Sequence, residues 1–363
     1  MLRQKLQQLR DVLPHMRMTL LRTLLVLSLS TALVAVIAGC ASTKRNVPAQ
    51  NTSPERTIVW PAPPDEPRVA YERSVLQPSD LGATISGFKR AMNRFTGATK
   101  GNEAFLRPFG IALDESDNLC LTDTGANTVS FYDQSRRRWQ SWEGAGKIRF
   151  AAPVAVAKRG ELIYVADSSL AKVIVFGIDG KLRFELQEHI QRPSGLVISG
   201  ERLYVADAQQ HTIVVFDLHG KFVSSFGQRG VGEGEFNFPS HMAADKAGQI
   251  YVTDSMNNRI QVFNRDGVFR TQIGSAGNAP GYFGRPKGVA VDPSGHIYVL
   301  DAVFDNIQVF DDKGRLLLQL GRSGSEPGEW WLPNAIAIGR DHRIYVTDSY
   351  NHRVQILQYV GNQ

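Results

Sequence analysis

"YVTDSMNNRIQVFNRDGVFRTQIG", Tyr251–Gly274, is a phrase that this chain writes more than once. "YVTDSYNHRVQIL" stands at Tyr345–Leu357, "YVADAQQHTIVVF" at Tyr204–Phe216 and "YVADSSLAKVIVF" at Tyr164–Phe176. Aligned on its aspartate, the phrase has six copies, at Asp123, Asp167, Asp207, Asp254, Asp301 and Asp348, at intervals of 44, 40, 47, 47 and 47 residues. A proline keeps step upstream, at Pro108, Pro153, Pro193, Pro239, Pro286 and Pro333. A period of this length belongs to solenoids and propellers, and the content of one repeat decides between them.

The fourth copy, "HMAADKAGQIYVTDSMNNRIQVFNRDGVFRTQIG", has four short apolar runs cut by turn chemistry. The runs predict strands at Met242–Ala244, Ile250–Thr253, Arg259–Phe263 and Val268–Ile273. "DKAG", "DSMNN" and "NRDG" are the turns, since Gly and Asn accept positive φ and Asp-Gly is a hairpin signal. No stretch of the repeat sustains a helical period. Four strands per unit and six units predict an all-β, six-bladed β-propeller.

"PKGVAVDPSGHIYVLD…NIQVF" and "DSMNNRIQVF" resemble the NHL repeat of six-bladed propellers, and the resemblance runs from Pro108 to about Tyr359. It implies the ring and leaves the ligand open. Some related six-bladed propellers are amidating lyases and lactonases that hold a metal in the central channel, so the resemblance also implies a catalytic alternative.

The sixth unit has runs at Ala335–Ile338, Arg343–Thr347 and Arg353–Tyr359, and then the sequence ends at Gln363. A fourth strand is missing. "PRVAYERSV" (Pro67–Val75) is an extended segment without a partner, and it is expected to close the ring as the outer strand of blade six. Ile85, Phe88, Met92 and Phe95 recur at helical spacing and predict a short helix near residues 85–95. The domain reading is therefore a closing strand and helix over 58–104 and a propeller over 105–363.

The first forty residues read differently. Arg17 and Arg22 precede an uncharged apolar run, Thr23–Ala38, which at 16 residues is short of the roughly 20 that a membrane span needs. Basic residues, apolar run and small residues in this order make residues 1–39 an export signal. Ile37-Ala38-Gly39-Cys40 resembles the bacterial lipobox, which implies acylation of Cys40. Ala41, rather than Asp, after that cysteine favours the outer membrane, facing the periplasm. Residues 40–57 are polar and form a flexible tether with a span on the order of 20–25 Å. The signal carries five basic residues and one acid, so the remainder stands near +2 instead of the +6 of the whole chain. That balance offers no concentrated basic face for nucleic acid.

A residue that every blade needs is read as architecture. The six aspartates end their second strands, where a carboxylate accepts backbone N–H bonds. Asn257, Arg259, Asn351 and Arg353 fall in the same class, as do Phe105, Phe236, Phe283 and Trp330, which recur at one position between blades. Cys120 fills the slot held elsewhere by Tyr164, Tyr204, Tyr251, Tyr298 and Tyr345, and is expected to be a buried, inert thiol.

Residues that break the pattern are the candidates for binding. Tyr282, Trp331, Phe304 and Tyr350, with Arg285, Lys287 and Arg322, are placed on the long Gly-rich loops and facing turns of blades four to six. The residues after the prolines are Phe109, Val154, Ser194, Ser240, Lys287 and Asn334, and His241 follows one further on. His241 and Asn334 are the candidate metal ligands of the catalytic alternative, against a site that wants three or four converging donors. His211 and His352 lie on turns of opposite blades. The reading is a non-catalytic binding or scaffolding module without a cofactor, for a protein, peptide or glycan ligand of the cell envelope.

Overall fold

The computed structural model describes residues 57–83 and 104–361. Cys40, the expected export signal, nearly all of the expected tether and the helix expected near residues 85–95 lie outside the described residues. Six antiparallel sheets of the same build follow one another from Pro108 onward. In blade four the strands are Pro239–Ala244, Ile250–Asp254, Arg259–Phe263 and Phe269–Ile273. Within each of the first five sheets the strands lie in chain order from the first to the outermost. Each first strand packs against the first strand of the next blade, and that of blade six packs against that of blade one, so the ring is closed.

The phase of the repeat has a local cause. In every blade the proline lies opposite the aspartate, as in Pro239↔Asp254 and Pro333↔Asp348, and the register then slips at a bulge. Proline has no N–H to give the ladder, so it fits at the strand start beside a bulge. The bulge also explains why first strands begin at the proline, two or three residues before the apolar run of the sequence.

Blade six is completed from the other end of the chain. Val69–Val75 pairs antiparallel with Arg353–Tyr359, from Val69↔Tyr359 to Val75↔Val354. Val69 and Val75 are each 1% exposed. A two-residue strand, Val59–Trp60, adds a fifth position outside it, and the Trp60 ring stacks on Trp330 with centroids 6.4 Å apart.

The core is divided between neighbouring blades. Phe236, for example, packs with Tyr204 and Val215 of blade three and with Ile250, Val252 and Phe263 of blade four. Cys120 is fully buried, and burial pushes its thiol well above the ordinary range. The tyrosines of the same slot are buried too, and Tyr164 and Tyr204 donate their hydroxyls to the Leu218 and Arg265 carbonyls of the following blade.

Candidate functional site

Antiparallel order puts two kinds of connection on one face: the turns from second to third strand, and the loops from each outer strand to the next first strand. The repeated carboxylates tie the two together. Asp167 accepts N–H bonds from Ala151 and Ala152 of the incoming loop and from Ser169 and Leu170 of its own turn. Asp254 and Asp348 accept from side chains as well. Arg259, Asn257 and Gln261 converge on Asp254, and Arg353, Asn351 and Gln355 on Asp348. None of these six carboxylates is more than 5% exposed. Their lone pairs are spent within the fold.

A second set of ties was not anticipated. The residue four positions after each aspartate has positive φ: Asn127, Ala171, His211, Asn258, Asp305 and His352. Five of the six reach the chain just before the proline of the next blade. Asn127, with its amide nitrogen turned inward, donates to the Ala151 carbonyl, Asn258 to that of Gly284, and His352 Nδ1 to that of Leu106. His211 Nδ1 and Asp305 instead accept the N–H groups of Phe238 and Leu332. His211 and His352 are therefore ties between blades. Only Ala171 has no side chain for the task.

The three long loops share one conformation. Short parallel bridges, Arg229↔Phe236, Ala276↔Phe283 and Ser323↔Trp330, close each loop on itself. The recurring aromatic is fully buried beneath. Gly321 at φ +81° shows why glycine opens the third loop, since a Cβ there would fall 1.3 Å from the Trp330 ring.

The central channel is pinched in the middle. Its mouth on the loop face is a cavity of about 410 Å³, lined in part by Phe109, Phe238, Met256, Arg192, Arg285 and Lys287. At the neck His241 reaches across to blade six, where Asn334 Nδ2 donates to His241 Nε2 at 3.1 Å and also contacts the Phe109 carbonyl at 3.2 Å. The other ring nitrogen lies 3.3 Å from Ser240 Oγ. Burial, and then the charge on Lys287, push the imidazole down to about 3, so it stays neutral. Beyond the neck a cavity of about 340 Å³ opens on the opposite face, lined by the buried ion pair of Lys158 with Asp114 (2.9 Å).

His241 and Asn334 do meet, but as a donor and an acceptor for each other. Among the described residues no three His, Cys, Asp or Glu side chains converge. One imidazole with its Nε2 engaged, one amide and a neighbouring ammonium do not fit a zinc or calcium site.

The predicted binding residues fall into two places. Trp331 and Tyr350 contact each other on the rim, with centroids 5.7 Å apart, and Arg107 sits 5.3 Å over the Tyr350 ring. Tyr282, Trp331 and Tyr350 are each exposed by more than two-fifths. Arg285 and Lys287 line the mouth instead, and Phe304 is half-buried beneath Gly284. Arg322 is held by Glu329 in an ion pair of 2.7 Å. Arg192 of blade three, which sequence reasoning passed over, completes the mouth. A signal for it exists: the residues before the six prolines are Arg107, Ala152, Arg192, Phe238, Arg285 and Leu332, basic in alternate blades.

A family model described as "6-bladed beta-propeller" matches residues 185–249, 244–304 and 291–360. No curated protein matches the sequence. Among solved structures, virginiamycin B lyase from Staphylococcus aureus, a catalytically inactive variant with quinupristin, is similar at 13% identity and a TM-score of 0.53, over 70% of this chain and 95% of that one. A gluconolactonase from Xanthomonas campestris is similar at 14% identity and a TM-score of 0.53, over 70% and 87%. Hydrazine synthase from Kuenenia stuttgartiensis is similar at 14% and 0.53, over 73% and 99%. At such identities the likeness is one of fold, and in fold this chain is a six-bladed β-propeller.

Proposed function

We propose that this protein is a non-catalytic binding module, an NHL-type propeller whose loop face receives a protein, peptide or glycan partner in the cell envelope. One observation carries the reading. Exposed Phe238, Met256, Tyr282, Val303, Trp331 and Tyr350 all emerge on the loop face, around a concave, cation-lined mouth. Clusters of exposed aromatic and apolar side chains with arginine nearby mark interaction surfaces. The stabilising groups of the same face, the aspartates and the positive-φ residues, are consumed internally, so the exposed aromatics are surplus to the fold. In this reading Cys40 carries a lipid that holds the propeller at the periplasmic side of the outer membrane. The lyase and lactonase alternative calls for a metal in the channel, and the donor set at its neck does not fit one.

The test is affinity capture of the tagged full chain from its own envelope, with partners identified by mass spectrometry. Tyr282→Ala combined with Trp331→Ala should lose the recurrent partner while keeping the parent melting temperature, and His241→Ala should retain it. Cys40→Ala should abolish acyl labelling. A partner that survives the double substitution sinks the binding face, and stoichiometric zinc or calcium removed by His241→Ala restores the metalloenzyme.

A further inference from the structure

Around the mouth of the channel the chain assembles positive charge without its usual counterpart. Lys287 projects from the first strand of blade five, one residue past Pro286, while Arg285 and Arg192 directly precede the prolines of blades five and three. No Asp or Glu lines the cavity, and none of the three cations lies within ion-pair distance of a carboxylate among the described residues. The nearest repeated carboxylates, Asp207 and Asp301, are turned away, accepting the backbone N–H groups of Arg192 and Arg285. Desolvation, and then the charge on Arg285, push the Lys287 ammonium down to about 8, which is the mark of a cation kept without an anion.

Like charges gathered in a recess focus a positive potential into it, and the cost of holding them is recovered when an anion enters. Serines 168 and 240 add hydroxyls to the lining. Apart from Ser194, Ser255 and the neutral His241, the remaining wall is apolar, with Phe109, Phe238 and Met256, and the volume of about 410 Å³ suits a small molecule. We infer that the channel mouth binds a small organic anion, its charged head against Lys287, Arg285 and Arg192 and its apolar body against Phe109, Phe238 and Met256. The inference rests on the loop face being the working surface and names the chemistry of what enters its centre.

Calorimetry on the full chain in detergent tests it with three probes: benzoate, benzylammonium and inorganic phosphate. Benzoate should saturate one site in the millimolar range, and benzylammonium, with the same ring and the opposite charge, should not bind. Lys287→Met should weaken benzoate by about tenfold or more, the loss of one charge-assisted contact. Arg285→Met, at an exposed position that leaves the fold untouched, should weaken it as well. Competition by phosphate assigns the site to any anionic head, and phosphate inert beside bound benzoate assigns it to carboxylates with an apolar body. Equal binding of benzoate and benzylammonium, no saturable benzoate isotherm, or benzoate binding unchanged in both variants overturns the inference. Partner capture through Tyr282 and Trp331 is measured on other residues, so either result can fail without the other.

Discussion

A lysine that burial pushes down to about 8 changes charge in a range where the neighbouring His241 does not. His241 is already neutral there, and burial raises the buried tyrosines. Lys287 is cationic below about 8 and neutral above it, so benzoate affinity should be highest on the acid side and fall as pH rises through that value. The Lys287→Met protein should show no such slope, and an identical slope in both proteins would remove Lys287 from the site. Residue-scale reasoning also picks out Ala171. At φ +55° it occupies the left-handed position of its turn without the side chain that ties the other blades. Asparagine tolerates that conformation better and would reach toward the Gln191 carbonyl, the equivalent of Ala151 and Gly284. Ala171→Asn should stabilise by about 1 kcal/mol and raise the melting temperature by roughly 2–4 °C, and an unchanged or lower melt would limit these ties to the blades that have them. The aspartates were legible because one residue type recurs, whereas this position was not, since Asn, Ala, His, Asn, Asp and His share a backbone angle and no chemistry.

Strands, turns and blade boundaries could be read because their causes are local: alternation of apolar residues, Asp-Gly and Asn turns, and proline at the strand start. The short Val59–Trp60 strand escaped because two residues carry no periodicity, and its partner Trp330 lies far along the chain. That His241 and Asn334 share the channel was legible, but not that they bond each other across it, since only ring closure sets the distance between blades four and six. The long loops stand between these cases. Their length and glycines were visible in the sequence, but the reason for each glycine is three-dimensional. Gly321 sits against the Trp330 ring, while Gly281, at φ +89°, faces open space. Gly321→Ala should cost roughly 2–4 kcal/mol, the sum of left-handed strain and overpacking, and Gly281→Ala only the strain, about 1–2 kcal/mol. Urea midpoints of the two variants check the contrast, and equal costs would mean that the loop yields around its aromatic anchor.

A propeller is held together by having no end, and here the ring is sealed by two segments almost three hundred residues apart. Without Val69–Val75, the strand Arg353–Tyr359 would present an unpaired edge, a row of N–H and C=O groups open to other chains. The seal is also hydrophobic. Val69 enters a core with Trp330, Ile344 and Leu357, and Val75 one with Tyr345, Val354 and Ile356. Arg343 adds an ion pair to Glu72 at 3.0 Å, which is partly exposed and contributes little beside the apolar contacts. If the strand is part of the ring, its loss should be felt by the whole molecule and not by blade six alone. Val69→Ala with Val75→Ala should therefore cost about 4 kcal/mol together and lower a single, still cooperative transition by roughly 10 °C. Circular dichroism and tryptophan fluorescence separate the possibilities, because two of the five tryptophans, Trp60 and Trp330, stand at the seal and the β-sheet signal reports all six blades. Coincident shifts are expected. If the fluorescence transition moves and the circular dichroism transition stays, the segment is an appendage on blade six, and the ring stands without it.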